Sequence, residues 1–312
     1  MIIEQSEAIV HEVGKVLIGK DEIIEKSLMA IYAGGHILLE DYPGVGKTTL
    51  ALGFSKALGL DYKRVQFTPD TMPSDIVGYS SLSKNADELI YRPGAVYTNL
   101  FLGDEINRTS AKTQSALLEA MEEGSVTVDG KTYQLPRPFI CIATQNPVGS
   151  AGTQLLPESQ LDRFIVRLSI GYPDTDELVE ILERKRYINP MDDVHAVTNR
   201  DQILEVQNYL GSVRMTRDIS FYIANLVEAT HNNQYIELGI SPRGALALSR
   251  MARAKAVLSE RDYVIPEDVQ YVYKDVCTHR LVLKPQARIE GMDAYRILDD
   301  ILKNTPVPSK GR

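Results

Sequence analysis

The 312-residue sequence is poor in cysteine, with Cys141 and Cys277 its only thiols. Two thiols in so long a chain build no disulfide framework, which suits a reducing compartment, and both read as small buried hydrophobes. No apolar run approaches the ~20 residues of a membrane span. The N-terminus, MIIEQSEAIVHEVGK, has no basic stretch followed by an apolar core. A cytoplasmic location is the expectation. Histidine is scarce: His11, His36, His195, His231 and His279 are scattered without ligand spacing, which argues against a structural zinc site. Basic charge is outweighed, 34 Lys and Arg against 42 Asp and Glu for a net charge of −8, with no cluster of the kind that duplex-DNA binders display. That balance favours a protein partner. No repeat of solenoid type occurs.

The chain is organised around GHILLEDYPGVGKTTLALGFSKALG, from Gly35 to Gly59. Ile37, Leu38 and Leu39 form the short apolar run of a buried parallel strand, and Leu50, Phe54, Ala57 and Leu58 follow at helical spacing. The loop between them has the form of a phosphate-binding P-loop, in which backbone N–H groups and the next helix N-terminus surround a polyphosphate. Lys47 is placed to reach the β- and γ-phosphates and Thr48 to ligate Mg²⁺. The first glycine of the general G-x-x-x-x-G-K-[ST] pattern is replaced by Asp41, while Gly44 and Gly46, nearest the phosphates, remain.

The length suggests roughly two domains. Helices are expected at 4–16 and 21–33, flanking an Ile18-Gly19-Lys20 turn, and a strand at 64–67. Residues 81–94 read as an insertion of two extended arms around Lys84-Asn85-Ala86-Asp87. A strand over 97–103 delivers Asp104 and Glu105 at its C-terminal edge, where open α/β sheets bind ligands. That pair has the form of a Walker B site, with Asp104 on Mg²⁺ and Glu105 polarising the attacking water. A helix over 110–123 stops at Gly124, and alternating residues around Asp129-Gly130 predict a hairpin at 125–135. The next strand, 139–144, runs into Gln145-Asn146-Pro147. A short helix carrying Asp162 and Arg163 then leads to a strand at 165–170 and the Gly171-Tyr172-Pro173 turn. Asp174 and Glu177 form a capping-box-like start to the helix beyond. From there the pattern is almost wholly helical, with Thr216 and Ser241 as caps and Pro242 and Pro266 at first helical positions.

Eight segments in one order, LLEDYPGVGKT, VQFTPDTMPSDIVG, DEINR, TQSALLEAMEEG, ATQNP, PESQLDRF, ISPRGALAL and RDYVIPEDV, make the chain resemble the MoxR-type group of AAA+ ATPases over nearly its whole length. The resemblance implies an α/β fold: a P-loop core with a five-stranded parallel sheet flanked by helices (1–173, with insertions near 81–94 and 125–135), followed by a smaller all-α lid (174–312). It implies ATP and Mg²⁺ as cofactors, bound between core and lid, with the phosphates against Pro43, Gly44, Val45, Gly46, Lys47, Thr48 and Thr49, Mg²⁺ at Thr48 and Asp104, and the adenine against Ile18 and Gly19. Glu105 is then catalytic, Asn146 corresponds to sensor 1, Arg243 to sensor 2, and Arg163 to the arginine finger of the neighbouring subunit's site. Arg163 could instead simply pair with an acidic neighbour, leaving Arg167 or Arg108 as the finger. Arg243, in a first helical turn, opposes the macrodipole, which suggests an external anion such as the γ-phosphate.

The function implied is that of an ATP-driven chaperone-like factor that remodels, matures or assembles client protein complexes. It works as a homo-oligomeric ring, a hexamer by resemblance, with a partner carrying a von Willebrand factor A domain. Two other readings stand beside it: a nucleic-acid motor or loader, disfavoured by the acidic total and the lack of a helix-turn-helix or zinc finger, and a nucleotide-regulated scaffold, disfavoured by the presence of Glu105, Asn146 and Arg163 together.

Overall fold

The computed structural model describes residues 2–82, 89–146, 156–184 and 189–308. Helices α1 (Ile2–Gly14) and α2 (Asp21–Tyr32) precede β1 (Ile37–Glu40) and α3 (Lys47–Ala57). There follow β2 (Tyr62–Gln66), α4 (Pro73–Val77), the β3–β4 hairpin (Gly78–Leu82, Leu89–Pro93), β5 (Leu100–Asp104) and α5 (Ala111–Glu123). The β6–β7 hairpin (Ser125–Val128, Lys131–Gln134), β8 (Ile140–Gln145), α6 (Glu158–Leu161) and β9 (Val166–Leu168) complete the α/β part. Beyond it come α7 (Thr175–Arg184), α8 (Arg200–Leu210), α9 (Arg217–His231), β10 (Ile236–Leu238), α10 (Pro242–Leu258), α11 (Pro266–Cys277), β11 (Val282–Leu283), α12 (Pro285–Ile289) and α13 (Ala294–Asn304).

Five parallel strands are ordered β2-β5-β8-β1-β9. The central ones are buried on both faces, which is why they read as unbroken apolar runs. Their side chains alternate with period two. Ile37, Leu39, Leu100, Leu102, Ile140 and Ile142 enter one apolar cluster with α1, α2, α3 and the later helices. Leu38, Phe101, Cys141 and Ala143 enter the other, with α5 and the β6–β7 hairpin. Both thiols are fully buried, and burial pushes each upward, Cys277 to about 12. Among the described residues no helix is long and apolar enough to cross a membrane.

Asp129 and Gly130 both adopt positive φ, 49° and 77°, the backbone that a two-residue hairpin turn requires. The arms expected in the first insertion pair as β3 and β4, while its Lys84–Asp87 tip lies outside the described residues. The two hairpins touch: the Tyr91 and Tyr133 rings stack with centroids 3.9 Å apart. Three local expectations are corrected. β5 begins at Leu100 rather than at Tyr97, because Val96 donates to the Ile76 carbonyl, Thr98 turns back onto the Val96 carbonyl and the Asn99 amide donates to the Pro138 carbonyl. α6 ends at Leu161, so Asp162 is its C-cap and Arg163 lies beyond it. The lid is helical apart from one short antiparallel ladder, β10–β11.

Ser241 caps α10 and Thr216 caps α9, Pro242 and Pro266 open α10 and α11, and Asp174 and Glu177 exchange backbone hydrogen bonds as a capping box. The lid is fastened to the sheet by Arg280, whose side chain is only 2% exposed. Its Nε donates to Asp162 Oδ1 at 2.8 Å and its guanidinium to the carbonyls of Asp162 and Phe164, while Ser241 Oγ donates to Asp162 Oδ2 at 2.8 Å.

His36, just ahead of β1, is buried. The Cys141 N–H donates to Nδ1, so the proton of the neutral ring lies on Nε2 and is donated to the Met121 carbonyl. Burial brings this imidazole down from 6.5 to about 4. The unfolded chain takes up the proton first, so the stability that His36 contributes is intact above pH 6.5 and is lost as pH falls from 6.5 towards 4. The loss is on the order of 3 kcal/mol across that window. Denaturant unfolding of wild type and His36→Gln from pH 8 to pH 4 checks it: the wild type is expected to lose more stability on acidification, and parallel profiles would remove His36 from the acid response.

Candidate functional site

The loop after β1 turns through Gly44 and Gly46, at φ 87° and 105°, a backbone that side chains rarely adopt. A Cβ on Gly44 would meet nothing within 4 Å, while one on Gly46 would strike the Leu17 side chain at 2.8 Å. Gly46 is the N-cap of α3 and brings no side chain to cap it, so the first-turn amides of Lys47, Thr48 and Thr49 are left for an outside acceptor. Lys47 Nζ donates to the Asp41 carbonyl at 2.6 Å and to Asn146 Oδ1 at 3.0 Å. Burial lowers its pKa, opposed by the charges of Asp41, Asp104 and Glu105. An ammonium held on two neutral acceptors, beside unpaired amides, suits a polyphosphate.

Asp41 has its own task. Its carboxylate accepts from the Ile170 N–H, from Ser169 Oγ at 2.9 Å and from the Gly171 N–H at 3.4 Å, which ties the loop to the chain leaving β9. A glycine at this position would leave those donors without an acceptor.

β5 and β8 lie side by side and bring their C-terminal residues together beside the loop. Asp104 accepts from Arg64 at 2.7 Å and from Thr144 Oγ1 at 2.6 Å, and the Glu105 N–H donates to the same hydroxyl. Glu105 is a non-glycine residue at φ 57°, which swings its carboxylate off the strand direction. Three donors hold it: Asn146 Nδ2 at 2.9 Å, Gln66 Nε2 at 2.9 Å and Arg108 at 2.8 Å. Lys47, Asn146 and Glu105 therefore form one hydrogen-bonded chain from the loop to the end of β5. Pro147 lies outside the described residues.

On the other side of the loop, Val16, Leu17 and Ile18 line a cavity of about 250 Å³ with Gly44, Val45, Gly46 and Thr49. Gly171, Ile181 and Met191, from the chain beyond β9, close it. Gly19 has φ 69°, and a Cβ there would overlap the Glu177 carboxylate, which pairs with Lys20 at 2.9 Å. The turn thus seats α7 against the loop's pocket.

The arginines divide. Arg108 is on Glu105, and Arg167 pairs with Glu40 at 2.8 Å. Arg163 donates to the Leu118 carbonyl at 2.6 Å and pairs with Glu122 at 2.9 Å, while its buried Nε finds no acceptor. Arg243 meets the other oxygen of Glu122. The acidic neighbour weighed for Arg163 is therefore present. Arg243 lines a cavity with Arg163 rather than the cavity beside the P-loop. Sequence reasoning missed Arg64, Asp41 and Glu122, although the charged Arg64 within an edge strand paired with β5 carried a signal.

Residues 36–166 match the model of the ATPase family associated with various cellular activities, and 228–301 that of the AAA lid domain. The Mycobacterium tuberculosis chaperone MoxR1 is 35% identical over 97% of this chain and 82% of its own. The chain belongs to the MoxR-type AAA+ ATPases. A Bacillus subtilis relative, YeaC, is 46% identical over 96% of this MoxR-type chain and 93% of its own length. A crystal structure from Cytophaga hutchinsonii superposes with a TM-score of 0.90 at 37% identity, covering 98% of this chain and 96% of the other.

Lys47→Ala is expected to abolish nucleotide binding, since it removes the cation from the loop. Glu105→Gln keeps the loop intact and is expected to bind nucleotide while losing turnover. Equilibrium binding of a fluorescent ATP analogue alongside phosphate release checks both. Rapid steady-state turnover by Glu105→Gln would sink the role given to that carboxylate.

Proposed function

We propose that this protein binds ATP with Mg²⁺ in the cytoplasm, hydrolyses it in a closed ring, and uses the cycle to remodel or assemble client protein complexes with a von Willebrand factor A domain partner. The P-loop amides and Lys47 take the phosphates. Thr48 and Asp104 hold the cation, and the Ile18-Gly19 turn takes the base. Bound Mg²⁺ supplies charge neutralisation on the phosphates. Glu105 orients and polarises the water, and Asn146, already bonded to both Glu105 and Lys47, keeps the base in line with the phosphates. The core is taken as 1–173 and the lid as 174–312.

The observation that carries the ring is the placement of Arg163 and Arg243. Both face Glu122 in one cavity, and neither lines the cavity beside its own chain's P-loop. Two guanidiniums sharing one carboxylate leave net positive charge, which a neighbour's γ-phosphate can meet across a head-to-tail interface; such interfaces close into rings when the rotation allows. A hexamer is the proposed closure. Arg163 supplies the finger and Arg243 a second cation on the same phosphate. The tyrosine-stacked hairpins carry the motion to the client.

An arginine finger contributes on the order of 10³ to 10⁵ in rate. Arg163→Ala is therefore expected to bind ATP almost normally and to hydrolyse it slowly. Mixing it with Lys47→Ala chains pairs an intact loop with an intact finger at one interface. The expected result is activity well above the sum of the two variants, with Mg²⁺-ATP turnover as the readout. No gain in rings shown by mass measurement to be mixed would return Arg163 to a structural role.

A further inference from the structure

A third group of arginines lies away from the loop, and one of its members, Arg250, also borders the cavity of Arg163 and Glu122. Arg250 and Arg253, on one face of α10, and Arg137, between β7 and β8, line a cavity of about 360 Å³. Its floor is the C-terminal ends of α2 and α8, at Tyr32–Gly34 and Asn208–Gly211. No aspartate or glutamate lines it, and among the described residues no carboxylate pairs with any of the three. That is unusual in this chain, where acidic residues outnumber basic ones and most other core and lid arginines are matched.

Capping of the two helix ends does not account for them. Arg250 donates once, to the Ala33 carbonyl. Most of the other end carbonyls are taken elsewhere: Ile31 by Gly34 N–H and Gln207, Ala30 by Gly35 N–H, and Asn208, Tyr209 and Leu210 by the amides of Gly211, Ser212 and Val213. Three guanidiniums bring about fifteen N–H donors. Two helix C-termini offset roughly one of the three positive charges. Solvation is also incomplete at Arg253, whose Nε is buried with no acceptor, while Arg250 and Arg137 keep exposed surface from which an anion can approach.

We propose that this cavity is a second anion site, independent of the P-loop, which takes an oligophosphate group. Guanidinium forks match phosphate oxygens in pairs, and the uncompensated charge calls for a ligand with more than one negative charge. At ~30 Å³ per water the space holds roughly a dozen waters, more than a single phosphate displaces. The site joins α2 and Arg137 of the core to α8 and α10 of the lid, so an anion seated there clamps the two together.

The probe is pyrophosphate in Mg²⁺-free buffer, titrated calorimetrically into full-length protein whose P-loop is saturated with ADP. One saturable site per chain is expected, weakened tenfold or more in Arg250→Gln/Arg253→Gln and unchanged in Arg243→Gln. Arg137→Gln, at an exposed position, is expected to weaken it severalfold and serves if the double variant fails to fold. Absence of saturable binding in the wild type overturns the proposal. So does binding lost in Arg243→Gln but kept in the Arg250 and Arg253 variants, because the anion then sits on the face shared with Arg163. Neither result bears on turnover at the P-loop.

Discussion

The contact on which the arrangement most depends is the buried ion pair between Arg280 and Asp162. Taking both charges out of water is costly, and such pairs often add little to stability by themselves, yet losing one partner leaves the other stranded. Burial does lower the basicity of Arg280, with Asp162 pulling the other way. What the pair supplies is register. Asp162 immediately precedes Arg163, and its second oxygen takes the hydroxyl of Ser241, two residues before Arg243. One carboxylate therefore fixes an arginine of the core and an arginine of the lid in the same frame.

The carboxylates at the end of the sheet are ordered in the same spirit, by fixed donors. Asp104 is held by Thr144 and Arg64, and Glu105 by Asn146, Gln66 and Arg108. A left-handed backbone at a glutamate costs of order 1–3 kcal/mol and persists only where its surroundings hold it. Here they do, through the Thr144 hydroxyl on its N–H and three donors on its carboxylate. Any reorientation of Glu105 breaks some of those bonds, so Arg108 and Gln66 set how readily its carboxylate turns.

Much of this was legible in the sequence because it rests on local rules. The glycine pattern of the loop, the apolar runs of β5 and β8, the Asp129-Gly130 turn and the caps at Thr216 and Ser241 each follow from a few neighbouring residues. What was not legible is set by partners far away in the chain. Tyr97 and Thr98 have strand-forming composition, but the bonds of Val96 to Ile76 and of Asn99 to Pro138 on either side hold them in a turn. The carboxylate that Arg243 shares with Arg163, Glu122, could not be assigned to it because it is 121 positions away. The stacking of Tyr91 on Tyr133 and the convergence of Arg137 with Arg250 and Arg253 depend on how separate elements are laid against each other, and no spacing encodes that.

Asp41 gives the loop a mechanical reach that its sequence position hides. Along the backbone the P-loop and the start of α7 are some 130 residues apart, but through the Asp41 carboxylate they are neighbours, since Ser169, Ile170 and Gly171 hang from it and Gly171 lies a few residues ahead of the helix. The loop behaves as one end of a short lever. The hydrogen bonds of Asp41 give the loop a direct link to the chain entering α7, one that does not run through the sheet.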